Sequence, residues 1–374
     1  MQDLNKNTTI HDIALALKIT SGTVSRALND YSRISLETRR LVKEKAIELN
    51  YQRNKIASSL RSGKSNTIGV MIPSAQMNFF GSVVHGIEME AASKGYNILL
   101  YQTEETTVLE KKAIDAFLGA RVDGILASIA KETTDYTHFK ELTKHSKNIP
   151  LVLFDRTFAD FKVPAVLIDD YKGAFMATEH LIHKGYTSIA HVSGPQQLLN
   201  FHSRLLGYKD ALKANNIAFD KKLIYAGDLS IQCGIAAMDY FFSLSKQPDA
   251  VFAAEDFTAL GIIKGLKERN INIPNAFGLI GFANEIFGEH ISPSLSTVDQ
   301  QTIEMGKQSV SLLIKMINDE NQNDIKKYEN IILSPIMIKR ESTALQQNFT
   351  LNKNFNPGIF QSQQKTIDSL MNDS

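Results

Sequence analysis

The chain is 374 residues long, 43% hydrophobic and 22% charged, with 41 Lys/Arg against 40 Asp/Glu and a single cysteine, Cys233. That length exceeds the usual single domain and is enough to bury a large core. One cysteine excludes an intrachain disulfide framework, no run nears the roughly 18 consecutive apolar residues of a membrane helix, and the polar N-terminus is no secretory signal, so a cytoplasmic location is expected. The near-zero net charge conceals an asymmetry. Residues 1–64 hold 12 Lys/Arg against 6 Asp/Glu, a net of +6, while the remaining 310 hold 29 against 34, a net of −5. A basic N-terminal module on a mildly acidic body is the pattern expected when one small unit meets phosphates and the rest meets something else.

Residues 8–29, TTIHDIALALKITSGTVSRALN, predict two short helices. Thr9 is an N-cap with Asp12 at its third position, and Ile10, Ile13, Ala14 and Leu17 recur at i, i+3, i+4 and i+7. After a break at Lys18 and Ile19, Thr20 caps a second helix that buries Val24 and Leu28 and shows Ser21, Gly22, Ser25, Arg26 and Asn29 on its other face. Two helices joined by about three residues, the second small and polar outside with one Arg, fit a DNA major groove; any small helical hairpin would show the same spacing. Ser35 caps a third helix whose Val42, Ala46 and Leu49 close a three-helix core.

TVSRALN at 23–29, ETRRLVKEKAIELNY at 37–51 and NKIASSLRSGKSNTIGV at 54–70 together closely resemble the LacI/GalR family of bacterial transcription regulators, and the resemblance extends from Thr8 to about Ala344. It implies a helix-turn-helix headpiece over 1–52, a hinge helix and linker over 53–65, and a two-lobed periplasmic-binding-protein-like effector core over 66–343. The family's DNA contacts carry over to Ser21, Gly22, Thr23, Ser25, Arg26 and Asn29, and in the hinge to Asn54, Ala57 and Leu60. Leu60 matches the apolar wedge that opens a minor-groove step. Relatives often place larger polar residues at the first two positions, so Arg26 becomes the best candidate for a bidentate guanine contact. Arg53 stands where relatives commonly have proline.

Gly63, Lys64 and Ser65 imitate the end of a phosphate-binding loop, but position 58 is Ser58 and not the glycine that motif needs. From Thr67 onward apolar runs at 67–73, 97–103, 123–129, 150–155, 165–169, 188–194, 222–227, 250–256 and 277–283 alternate with amphipathic helices, which predicts parallel sheet covered on both faces. SKGYNILLY at 93–101 echoes HKGYTSIAHV at 183–192, each with a glycine helix terminator before a strand, and two doubly wound domains follow. The fold class is therefore an all-α headpiece followed by an α/β core of two lobes. By the resemblance, lobe one takes 66–166 and 297–330, and lobe two takes 167–296 and 331–343, with IILSPIMIKRE at 331–341 as one final strand.

Ligands of such folds bind at the carboxyl ends of the strands. The effector candidates are Asn78, Phe79 and Phe80 after the first strand, Asp155 and Arg156 after the fourth, Arg204 after the SGP loop at 193–195, and Glu255 and Asn284. Arg donors and an aromatic wall suit a small polar ligand such as a sugar or sugar phosphate. Glu255 stands where sugar-binding relatives often have Asn, and Ala283 where they often have Asp, which leaves the effector open. His180 and His183 lie three apart on a helix but lack HExxH, a cysteine cluster or carboxylates beyond Glu179; they read as surface residues, and no metal, no cofactor and no enzymatic activity are expected. The expected function is a homodimeric, effector-controlled repressor on pseudo-palindromic double-stranded operator DNA. An activator of the same family is the alternative, and a solute-binding receptor the rival from another class. The polar tail over 344–374 extends past the family's usual end.

Overall fold

The computed structural model describes residues 8–51, 64–144, 149–319 and 329–344. They fall into two compact units that divide between Ser65 and Asn66.

The first unit holds helices α1 (Ile10–Leu17), α2 (Ser21–Leu28) and α3 (Leu36–Glu48). Each start is chemically fixed. The Asp12 carboxylate accepts from both the backbone N–H and the hydroxyl of Thr9 at 2.7 Å, Thr20 accepts from the Thr23 N–H, and Ser35 accepts from the Thr38 N–H. Lys18, at φ 52°, makes the left-handed turn between α1 and α2. The core is Ile13, Ala14, Val24, Ala27, Val42 and Ala46; Leu28, expected to be buried, is only half so, and Ala27 takes the central place. So small a core leaves little stability to spare. The hinge positions Asn54, Ala57 and Leu60, and the tail from residue 345, lie outside the described residues.

The second unit contains two parallel sheets. The first comprises β1 (Thr67–Ile72), β2 (Asn97–Gln102), β3 (Gly124–Ala127), β4 (Leu151–Phe154), β5 (Ala165–Ile168) and a late strand (Ile331–Leu333), in the order β2, β1, β3, β4, β5, late strand. The second comprises Ile189–Ser193, Ile224–Ala226, Ala250–Ala253 and Gly278–Ile280, with the Ile189 strand inside. Helices cover both faces of each, as continuously apolar strands require. Those used below are α4 (Asn78–Ser93), α5 (Thr107–Ala120), α6 (Thr137–Lys144), α7 (Asp170–His183), α8 (Leu199–Ala214), α9 (Ile231–Ser243), α10 (Asp256–Glu268), α11 (Phe287–His290) and α12 (Thr302–Ile317). The echoed glycines do serve as terminators: Gly95 and Gly185 have φ of 76° and 94°, where a side chain would be strained. Close helix crossings explain two more. A Cβ on Gly86 of α4 would overlap the Ile303 carbonyl, and one on Gly306 of α12 would overlap the Val83 carbonyl, so these helices of lobe one touch backbone to backbone.

Two boundaries and one strand differ from the sequence reading. The 331–341 stretch is not one strand: Ile331–Leu333 pairs with β5 in the first sheet, whereas Ile336–Ile338 pairs antiparallel with Thr297–Asp299. The chain therefore crosses at Ser334 and Pro335, and 331–333 belongs to lobe one. Similarly, β5 runs to Ile168 within the first sheet, so the earlier crossing comes at Asp169 and not at 166. Thr297–Asp299 went unread as a strand because three residues carry too little pattern.

Candidate functional site

In the first unit the candidate surface is the exposed face of α2. Gly22 is exposed, and Arg26 folds back along the first turn, where Nε donates to the Gly22 carbonyl at 3.1 Å. Fixing Arg26 at Nε leaves both Nη amines without a partner among the described residues, as a planar fork for an acceptor pair. Ser21 Oγ meets His11 Nδ1 at 3.2 Å, and Thr23 Oγ1 meets Thr20 Oγ1 at 2.9 Å, so Thr23 is engaged in the cap. Asn29 donates to the Ser25 carbonyl at 2.7 Å. Lys43 holds Asp30 at 2.6 Å and ties α3 to the end of α2.

In the second unit the residues predicted from several strand ends do converge. Phe79, Phe80, Asp155, Arg156, Arg204 and Glu255 line one cavity together with Met77, Asn200, Ala283 and Gln300. Its volume is about 10 Å³, the space of about one water. Phe79 and Phe80 stand edge to face at 5.0 Å, and Arg156 lies 5.3 Å from the Phe80 ring. Arg204 sits 3.7 Å over the Phe282 ring and gives Nε to Asp170, Nη1 to the Ala254 carbonyl and Nη2 to Gln300 Oε1. Arg156 gives Nη1 to both oxygens of Glu105, at 3.1 and 2.8 Å, and to the Ile129 carbonyl. Two lining residues hold strained backbone, Asp155 at φ 62° and Ala283 at φ 140°, as is common where a fold presents groups to a ligand.

Burial sets the electrostatics. It pushes Asp155 up to about 7 against the pull of Arg156 and Arg204, and Asp170 up to about 6 against Arg204. Glu105, mostly buried, is raised by burial but more strongly lowered by Arg156 and Lys131 together, and ends below its ordinary value. Contacts also cross from lobe to lobe. Glu285 accepts from the Phe79 N–H at 3.0 Å at the start of α4, which has no cap of its own, and Lys131 Nζ donates to the Asp228 carbonyl at 3.0 Å.

Two candidates fall outside the cavity. Asn78 is exposed, and Asn284 is committed to Asp299 at 2.7 Å and to Arg340 at 2.9 Å. Two polar residues that sequence reasoning missed line it, beside the apolar Met77. Asn200 stands four before Arg204 on α8, a spacing that places both on one helix face and could have exposed it. Gln300 follows the unread strand. His180 is not a surface residue: it is buried, held by Thr343 Oγ1 at 2.8 Å, and lowered to about 4 by burial. Among the described residues no group of His, Cys, Asp and Glu is arranged to hold a metal, and no helix is long and apolar enough to cross a membrane.

A helix-turn-helix unit followed by a two-lobed α/β core with a polar cleft defines a ligand-binding type of DNA-reading regulator. The comparisons with known proteins agree. Residues 9–54 match the model of bacterial regulatory proteins of the lacI family, and 178–343 match a periplasmic binding protein-like domain. The chain is 33% identical over 315 residues to catabolite control protein A of Priestia megaterium, covering 84% of this chain and 94% of that protein. It is 31% identical to the ribose operon repressor of Halalkalibacterium halodurans, over 91% of this chain and 98% of that one. Among solved structures, the complex of the transcriptional regulator CelR with cellobiose superposes with a TM-score of 0.66 at 25% identity, covering 90% of this chain and all of that one. The chain belongs to the LacI family of bacterial regulatory proteins; it is a DNA-binding regulator of transcription and not an enzyme.

Proposed function

We propose that the chain is a repressor that binds a pseudo-palindromic operator as a homodimer and is controlled by a small polar effector held between the lobes of its core. The division of labour follows the two units: residues 1–52 read DNA, 53–65 connect, and 66–343 bind effector and partner. Arg26 is the principal base contact, with Ser21, Gly22, Ser25 and Asn29 beside it. Its Nε tether to Gly22 supports this reading, because it aims the guanidinium before DNA arrives and reduces the entropy lost on binding.

One observation carries the effector half. Buried polar atoms are almost always hydrogen-bonded, yet two side chains on the cavity wall are not: Arg156 Nε, on a residue 1% exposed, and Asn200 Oδ1, on one 3% exposed. One is a donor and the other an acceptor, which a hydroxyl satisfies in both roles. The aromatic step at Phe79 and Phe80 supplies the apolar wall that a sugar ring face needs. The ribose operon repressor and the CelR–cellobiose complex support a carbohydrate-like effector. A ligand that prefers one lobe pose shifts the equilibrium between poses and thereby DNA affinity.

For the homodimer, β2 is an edge strand of the first sheet with Leu99 and Leu100 exposed at 36% and 40%. Such an edge is covered in a stable assembly. Light scattering of the parent should give twice the chain mass, and Leu100→Glu should give the monomer. Gel retardation on DNA upstream of the chain's own coding sequence tests the whole reading. A specific shift that a small metabolite alters is expected; sugar binding with no shift would identify a receptor instead.

A further inference from the structure

The first N–H groups of a helix have no partner inside it and must find one elsewhere. Helices α5, α7 and α9 solve this with side chains of their own: Thr106, Asp169 and Ser230 each accept from the N–H three residues on. The cleft helices α4 and α8 follow Met77 and Leu198 and have no side-chain cap. Helices α10 and α12 also start without one. What sets α4 and α8 apart is where their first N–H groups go. The Phe79 N–H of lobe one donates to the Glu285 carboxyl of lobe two at 3.0 Å, and the Leu199 N–H of lobe two donates to the Thr157 carbonyl of lobe one at 2.9 Å. Two further bonds join the lobes, from Lys131 Nζ to the Asp228 carbonyl at 3.0 Å and from Gln197 Nε2 to the Lys131 carbonyl at 3.1 Å.

The chain is bent to deliver Glu285. Ala283 and Asn284 just before it stand at φ 140° and 55°, a region that side chains disfavour, and the Glu285 N–H is anchored on Asp256 Oδ2 at 2.8 Å. Thr297 fixes the other Asp256 oxygen, also at 2.8 Å. Glu285 is 2% exposed, and burial pushes its carboxyl up to about 7, helped by Asp256 and Glu255 and opposed by the Phe79 and Asn78 N–H groups. Near neutral pH a protonated carboxyl therefore shares the task, and its carbonyl oxygen still accepts an N–H. The cavity that these contacts close measures about 10 Å³. Pockets for small ligands take roughly 300 Å³ or more, so the lobes must part before such a molecule enters.

We propose that Glu285 and the Thr157 carbonyl form a reciprocal latch on the cleft, each capping a helix of the opposite lobe, so that opening uncaps α4 and α8 in one step. Glu285 is thus a positioning residue. The helix start it holds carries Phe79 and Phe80 of the cavity wall, so the latch also governs when that wall is complete. It belongs to the cleft whatever ligand enters.

Amide hydrogen exchange on the full-length chain, read by mass spectrometry over residues 74–84 and 195–203, is the test. Glu285→Ala should speed exchange in both segments by about five-fold or more, the size of a lost helix cap. The distant segment is the telling one, because Leu199 bonds a carbonyl that this substitution does not touch. Glu285→Gln keeps an acceptor oxygen and should return both segments to within about two-fold of the parent. The converse perturbation is Gln197→Ala, at an exposed residue whose loss leaves packing intact; it should speed exchange over 74–84 by about two-fold, and it decides the matter if the Glu285 variants fold poorly. A rise confined to the segment beside each substitution would reveal two independent local caps and overturn the latch. So would a Glu285→Gln chain that exchanges as fast as Glu285→Ala, or substitutions that leave both segments at the parent rate.

Discussion

Arg204→Met should destabilise the core far beyond the loss of one side chain's contacts. Arg204 is 1% exposed and neutralises Asp170, which is 5% exposed, through an Nε to Oδ1 bond of 2.7 Å; the same guanidinium also bonds Ala254 and Gln300. Removing the cation leaves a buried carboxylate alone, a change that typically costs about 3–5 kcal/mol. In a domain of this size that is a drop in Tm of roughly 10 °C. Asp170 escapes part of the penalty by protonating, since burial already holds it near 6, so the cost should be larger at pH 8 than at pH 5. The double variant Arg204→Met, Asp170→Asn removes both charges and should recover at least half of the loss. The solvent-exposed Arg40 and Glu44 pair, at 3.2 Å, supplies the contrast: Arg40→Met should cost less than about 0.5 kcal/mol. Urea melts followed by far-UV circular dichroism measure all four chains, which suits a protein without tryptophan. A single Arg204 variant within about 1 kcal/mol of the parent, or a double variant as unstable as the single, would show that the pair is not the buried electrostatic unit described here.

The whole protein should be more stable at mildly acidic than at neutral pH. Burial first of all pushes Asp155 and Glu285 up to about 7 and Asp170 and Asp256 to about 6, and it pulls His180 and His191 down to about 4. Between pH 5 and 6 the folded chain keeps more than three carboxyl protons that the unfolded chain has released, while the unfolded chain takes up nearly two histidine protons. The folded state therefore binds more protons in that window, and stability falls as pH rises through it, on the order of 2 kcal/mol per pH unit. Below roughly pH 4.5 the unfolded carboxyls protonate as well and the folded histidines take up their own protons, so the trend flattens. Urea midpoints that stay flat or climb from pH 5 to 7 contradict this. Arg26→Ala should weaken specific operator binding by about 1–3 kcal/mol while leaving circular dichroism unchanged, and gel retardation that matches the parent would remove Arg26 from the base-reading role. Val24→Ala, at a fully buried position in a core of six side chains, should cost the headpiece about 2 kcal/mol and abolish retardation while ligand binding by the core persists. Retention of both activities would mean that the headpiece core is less dependent on Val24 than its burial indicates.

Local order in this chain is written locally. Thr9, Thr20 and Ser35 start the three headpiece helices where their hydroxyls fall, and Gly95 and Gly185 end helices where only glycine is unstrained, because caps and left-handed turns involve neighbours within four residues. The inner strands of the two sheets were equally legible, since burial on both faces makes each of them a continuous apolar run. Tertiary structure alone decided the rest. Strand Thr297–Asp299 and the break at Ser334 and Pro335 depend on partners about 40 residues and about 165 residues away, which no local pattern encodes. In the cleft, the sequence pointed to strand ends that the fold does bring together, but it could not say that Asn284 would be drawn off by Asp299 and Arg340, or that Asn200 and Gln300 would line the cavity. Nor could it show that Glu105 would pair with Arg156 and Asp170 with Arg204. Those are facts of distance between groups far apart in the chain, and distance between such groups is fixed only when the lobes pack.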